Sequence, residues 1–85
     1  MLQHDRATQL HLLVSDSSRE LCRVAMPLAS VANLEHLFPD EDLEAVKALG
    51  LNFPHIIEKA QQSGLVPQTL IDTQTPTRSY RIWIE

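Results

Sequence analysis

Cysteine is nearly missing from this chain: among 85 residues Cys22 stands alone, so no disulfide can form within one molecule. Small secreted domains tend to offset a thin core with several disulfides, so a single thiol points to a reducing compartment. Glycine is almost as scarce, with Gly50 and Gly64 the whole supply. That removes the glycine-rich loops that bring backbone N–H groups onto a phosphate, and the Gly-x-Ser-x-Gly elbow of serine hydrolases. Basic charge is short too. Seven Lys and Arg face eleven Asp and Glu, for a formal net charge of −4. Arg6, Arg19, Arg23, Lys47, Lys59, Arg78 and Arg81 are also scattered along the chain. Nucleic-acid binding draws much of its affinity from neutralised phosphates, so sign and scatter both argue against it. No apolar run approaches the ~20 residues that cross a bilayer. The opening Met1-Leu2-Gln3-His4-Asp5-Arg6 has neither the basic segment nor the apolar stretch of a secretory leader. These absences predict a cytoplasmic location without membrane insertion.

What is present suffices for one domain. Hydrophobic residues make up 44% and charged residues 21% of the chain, an ordinary globular composition. At this length folding hides about 60–65% of the surface of the unfolded chain, which leaves little room for an internal cofactor cavity. Residues 1–8 are polar and read as a flexible N-terminus, and 9–85 read as the domain.

Leu10, Leu12 and Val14 alternate with their neighbours at the period of a strand. After the turn-rich Ser15-Asp16-Ser17-Ser18, the segment Leu21-Cys22-Arg23-Val24-Ala25 completes a hairpin. Pro27 suits a first helical turn, and Leu28, Val31, Leu34 and Phe38 then trace a helical face that Pro39 terminates. Asp40 reads as the N-cap of a second helix, whose first turn carries Glu41, Asp42 and Glu44 against the positive end of its dipole. Leu43, Val46 and Leu49 are its buried stripe, and Gly50 ends it. A third helix begins at Asn52 to Pro54, buries Ile56, Ile57 and Ala60, and stops at Gly64. Leu65 to Asp72 reads as a strand, with Pro67 suited to its first residues or to an edge. Ser79 to Glu85 is the most regular strand, with Tyr80, Ile82 and Ile84 alternating against Arg81, Trp83 and Glu85. The order ββαααββ predicts a two-layer α+β fold, an antiparallel-rich sheet of about four strands with helices on one face.

These landmarks resemble a known family. Leu10–Val14, the run Cys22-Arg23-Val24-Ala25-Met26-Pro27-Leu28, Gly50-Leu51-Asn52, Gly64-Leu65 and the closing Tyr80-Arg81-Ile82-Trp83-Ile84-Glu85 together follow its pattern. It is the SHOCT-like domain of YvlB- and LiaX-type bacterial envelope-stress proteins, which also occurs as short stand-alone chains. The chain departs from that pattern at Val66-Pro67-Gln68, where a glycine is usual, and in the less acidic 73–79 turn. The resemblance implies a small domain with no catalytic residue and no cofactor.

The residues themselves also speak against catalysis. His4, His11, His36 and His55 lack the closely spaced partners of a zinc site. Cys22 falls within a strand and reads as a packed thiol, whereas a reactive cysteine needs an electropositive environment or a helix N-terminus. The run Asp40, Glu41, Asp42, Glu44 lacks the ligand spacing and central glycine of a calcium loop, and its charge fits a helix N-terminus. The chain is expected to be no enzyme, with no metal and no cofactor.

If Leu10, Leu12, Val14, Val24, Tyr80, Ile82 and Ile84 face the helices, His11, Leu13, Leu21, Arg23, Ala25, Arg81 and Trp83 face the other way. Single apolar residues are normal on a surface, but a strip holding Leu13, Leu21 and Trp83 beside arginine has the composition of an interface. The expected function is therefore a protein-interaction or self-association module, a homodimer or a complex with another protein. Trp83, Arg81, Leu13 and Leu21 are its interface candidates. The alternative is a small-molecule or peptide-binding sensor domain linked, through the resemblance, to envelope stress. An RNA-binding sheet would have only Trp83, Tyr80, Arg81 and Arg23 to work with.

Overall fold

The first and last strands of the chain lie side by side at the centre of one antiparallel sheet. The computed structural model describes residues 6–16, 19–76 and 78–85. Its strands are β1 (Gln9–Asp16), β2 (Arg19–Pro27), β3 (Gln68–Gln74) and β4 (Ser79–Ile84), in the order β2-β1-β4-β3. The two hairpins thus place β2 and β3 at opposite edges. The chain from 28 to 67 must cross from one edge to the other, and it does so over a single face. It carries a 3-10 segment (Leu28–Leu37) and the helices α1 (Asp40–Ala48) and α2 (Phe53–Gln62). This is the α+β architecture expected from the element order.

The first helical segment is the main departure in local geometry. An α-helical face was expected, but the apolar residues Leu28, Val31, Leu34 and Leu37 recur at strict three-residue spacing. Side chains three apart eclipse one another in a 3-10 helix, so Leu28 and Val31 share an edge before Asn33, and Leu34 and Leu37 share one after it. Val31 and Leu34 are buried, and Leu28 and Leu37 pack partly against the core. Asn33, at φ −126° and ψ 38°, breaks the segment in two. Phe38 follows in extended conformation and is buried, its ring centre 4.7 Å from Tyr80 and 5.7 Å from Phe53.

Pro39, rather than Asp40, occupies the cap position of α1, with no side-chain cap, and Asp40 is the first helical residue. Both glycines close helices in the same way. Gly50 has φ +97°, and the bonds Gly50 N–H to Lys47 C=O (3.0 Å) and Leu51 N–H to Val46 C=O (3.4 Å) form a Schellman end. Gly64, with φ +82°, repeats this through Gln61 and Ala60 at 3.1 Å each. That end places Leu49 just past α1 at 61% exposure, outside the stripe it was assigned to. Asn52 caps α2 as expected, its side chain accepting from the His55 N–H at 3.2 Å. Phe53 and Ala60 are buried there, and Ile56 and Ile57 only partly. β3 begins later than the expected Leu65, because Leu65 itself has φ +58° and cannot extend a strand.

The core lies between the central strands and the crossover. Leu10, Leu12, Tyr80, Ile82 and Ile84 meet Val31, Leu34, Phe38, Val46, Phe53 and Ala60. The expected flexible start falls largely outside the described residues. Within it, Ala7 is buried and its N–H donates to the Leu65 carbonyl at 2.8 Å, while Thr8 N–H bonds Glu85 at 2.9 Å.

Strand β2 corrects two further expectations. Cys22, assigned to the interior, is exposed, because the helices cover the central strands and leave β2 overhanging. Leu21, assigned to the outer face, is the extra residue of a bulge: Val14 pairs with Cys22 and Ser15 already pairs with Glu20. A bulge sets two residues against one and breaks the alternation of sides. Leu21 accordingly borders the helix side together with Cys22.

Candidate functional site

The face of the sheet turned away from the helices carries three of the four expected interface residues. Register places Ala25, His11, Trp83 and Thr69 in one row across β2, β1, β4 and β3. The next row is Arg23, Leu13, Arg81 and Asp72. The Trp83 and His11 rings stack, with centroids 5.3 Å apart and planes 12° from parallel. The indole N–H donates to Glu85 Oε1 at 2.8 Å, which fixes the ring orientation. His11 Nε2 lies 3.9 Å from the other carboxylate oxygen. Leu13 sits between two arginines, each held at its far end: Arg81 by Asp72 at 3.7 Å and Arg23 by Glu20 at 3.3 Å. Trp83 and Leu13 are half-buried by these neighbours, and Arg81 is exposed. The result is a strip of one indole, one leucine and two partly neutralised guanidinium groups, with a hollow of about 190 Å³ beside Leu13 and Arg81.

A second cluster lies on the helix side. Asp42, from the first turn of α1, is 5% exposed. Arg78 Nη1 donates to its Oδ2 at 2.8 Å, and the Tyr80 hydroxyl donates to the same oxygen. Arg78 is partly exposed and Tyr80 is buried. The cluster ties the start of α1 to the start of β4. Beside it opens a hollow of about 350 Å³ lined by Leu12, Val14, Leu21, Cys22, Leu37 and Pro39 together with Arg78 and Tyr80.

Asp42 escaped the sequence reading, which assigned it to the helix dipole along with Asp40, Glu41 and Glu44. The signal was its spacing: Asp42 lies four residues before the buried Val46, on the same side of the helix. A carboxylate on a buried face requires partners, and here they are Tyr80 of β4 and Arg78 just before it.

The titration of the cluster follows from this geometry. The hydrogen bond from Tyr80 holds the Asp42 carboxyl below its ordinary value, and the bond and charge of Arg78 add to it against the opposing effect of burial. Burial, then the neighbouring Asp42 carboxylate, push the Tyr80 hydroxyl up. A depressed acid contributes stability that is whole above its unfolded value, about 4, and is lost as pH falls through the lower folded value. For Tyr80 the contribution is whole below about 10 and is lost as pH rises past it. Urea unfolding across a pH series is expected to show stability falling at both ends, with Asp42→Asn flattening the acid limb. An acid limb identical in the variant would remove Asp42 as its source.

Among the described residues, no three His, Cys, Asp or Glu side chains gather closely enough to hold a metal ion. His36 and His55 are exposed on separate elements, and His4 lies outside the described residues. No described helix is long and apolar enough to cross a membrane.

No family model matches the chain, and no curated protein or solved structure does either.

Proposed function

We propose that this chain is a non-enzymatic module for protein association, binding a second copy of itself or another protein through its sheet. The observation that carries this is the uncovered face, where Trp83 stacked on His11 lies beside Leu13 and the arginines of the next row. Tryptophan and arginine dominate the energetics of protein interfaces, and a rigid, pre-oriented indole loses little entropy on docking. The charges beside Leu13 are largely matched within the chain, so the strip presents shape and apolar area more than net charge. Likeness to the SHOCT-like domain, and with it a bacterial, cytoplasmic setting linked to envelope stress, belongs to the same proposal.

Sedimentation over a range of concentrations tests the self-association form. The expected result is a mass that rises with concentration, and a Trp83→Ala variant whose dissociation constant is about 10- to 100-fold weaker. Its far-ultraviolet circular dichroism should match that of the unmodified chain, since the indole lies outside the core. A mass that stays monomeric across the whole soluble range rules out self-association.

A second reading rests on the apolar hollow beside Arg78. Its lining of Leu12, Val14, Leu21 and Leu37, with the Arg78 guanidinium offering the donors that Asp42 does not take, suits an amphipathic molecule with an anionic head. Titration with a medium-chain fatty acid would then shift the amide resonances of Leu21 and Cys22. Unmoved resonances would rule this binding out.

A further inference from the structure

Strand β2 is an edge of the sheet, and its pairing with β1 sets the direction of its free backbone groups. Gln9 and Glu85 exchange both backbone hydrogen bonds, at 3.1 Å each way. Bonded and non-bonded pairs alternate along an antiparallel ladder, so Gln9, His11 and Leu13 direct their N–H and C=O groups toward β4. Leu10, Leu12 and Val14 direct theirs toward Met26, Val24 and Cys22 of β2. The intervening Arg23 and Ala25 therefore point their backbone groups away from the sheet. Pro27 fits the same alternation. It stands opposite Gln9, where β1 requires no N–H from it, and proline is tolerated at such edge positions.

The side chains along this edge are unusually apolar. Val24 is 37% exposed and Leu21 47%, and among the described residues only Leu49 joins them as an exposed large hydrophobic residue. Cys22 between them is exposed as well. Natural sheets protect free edges with charge, proline or bulges. Here the bulge and the proline sit at the two ends of β2, and the regular stretch from Cys22 to Met26 between them carries a single charge, Arg23, itself paired with Glu20.

The geometry points to a second copy of this chain as the occupant of that edge. Two β2 strands pair antiparallel about a two-fold axis at Val24, joining the two sheets into one. This rests on the association reading above and names its surface. Side-chain and backbone chemistry select the register together. Val24 meets the partner's Val24 as a non-hydrogen-bonded pair, and Cys22 meets the partner's Met26, so apolar faces apolar along the helix side. Arg23 meets the partner's Ala25, and these are the residues whose backbone groups point outward, so both bonds form at each such pair. Competing axes fail on chemistry. An axis at Arg23 sets guanidinium against guanidinium, one at Ala25 sets Arg23 against a proline that lacks a donor, and one at Cys22 sets Val24 against Glu20 across the bulge. The two outer faces then lie side by side, which doubles the strip that holds Trp83.

Cysteine cross-linking tests the register. Non-hydrogen-bonded pairs bring Cα atoms to about 4.5 Å, within disulfide reach. In a Cys22→Ser background, Val24→Cys is expected to give a covalent dimer on diamide oxidation. Ala25→Cys in the same background should give at least fivefold less, since it faces Arg23 rather than itself. In the unmodified chain, hydrogen exchange provides a second measurement that no misfolded variant can confuse. Protection of the Arg23 and Ala25 amides should rise with protein concentration, while that of the Val24 amide, already bonded to β1, should not. Concentration-dependent mass that Trp83→Ala weakens, with no cross-link at Val24 and no change at Arg23 and Ala25, would overturn the edge pairing and leave the association reading standing. A chain that remains monomeric throughout would overturn the pairing together with self-association.

Discussion

Asp42→Ala is expected to lower the stability of this domain by about 2–3 kcal/mol, more than substitution of any other charged residue among those described. The carboxylate is the shared acceptor for two donors, the Tyr80 hydroxyl of β4 and the guanidinium of Arg78 just before that strand. Removing it leaves the Tyr80 hydroxyl without its acceptor in a site where Tyr80 is 2% exposed, and a buried donor left unpaired costs about 1–3 kcal/mol. Arg78 is only partly buried and recovers water, so its loss is the smaller part. In a domain of this size the change lowers the thermal midpoint by about 10–20 °C. Tyr80→Phe removes the hydroxyl and keeps the ring that packs on Phe38, so its cost is expected near 1 kcal/mol. The double variant should then cost less than the sum of the two, because the shared bond can be lost only once. Additive effects in calorimetry, or an Asp42→Ala midpoint within 2 °C of the unmodified chain, would show that the bond contributes nothing.

The strands were legible because their period is simple. Leu10, Leu12, Tyr80, Ile82 and Ile84 obey a period of two with the helices on one side, and all are buried as that alternation requires. Legibility ended where a side chain's surroundings depend on the width of the covering layer. The alternation that buries Leu12 also turns Val24 to the helix side, yet nothing in the sequence says that the crossover stops short of β2. Cys22 was misread for the same reason. Leu21 was misread for another, since a bulge adds one residue to one strand and leaves no mark in the hydrophobic pattern. The 3-10 segment was not legible because Leu37 and Phe38 are both apolar, so the pattern fits three-residue spacing through Leu37 as well as helical spacing through Phe38. Of the candidate interface, Trp83, Arg81 and Leu13 could be placed on one face from alternation alone. Their stacking and ion pairs with His11, Glu85 and Asp72 depend on registers that only the folded sheet defines.

Ile82→Ala is the substitution expected to do the most damage, about 3–5 kcal/mol. Ile82 is fully buried at the middle of β4, with Leu12 beside it on β1 and Ile71 on β3. Strands flank it on both sides and the crossover lies above, so its neighbours cannot collapse into the space that three lost carbons leave. The penalty is then transfer free energy together with an unfilled cavity. A domain of 85 residues has a total stability of only about 4–13 kcal/mol. The variant therefore lies near the edge of folding, and urea unfolding should show a midpoint moved sharply down or no transition at all. Ile82→Val removes a single carbon and serves where the alanine variant does not fold, with an expected loss of about 1 kcal/mol. Leu49→Ala provides the contrast: at 61% exposure it should change stability by less than about 0.5 kcal/mol. A core built around β4 requires that order, and a Leu49 variant as damaging as Ile82→Val would place the centre of packing elsewhere. The same measurement guards the interface tests, because Trp83 lies next to Ile82 on the opposite face of the strand. Association lost in Trp83→Ala with an unchanged urea midpoint belongs to the surface, and association lost along with the midpoint belongs to the core.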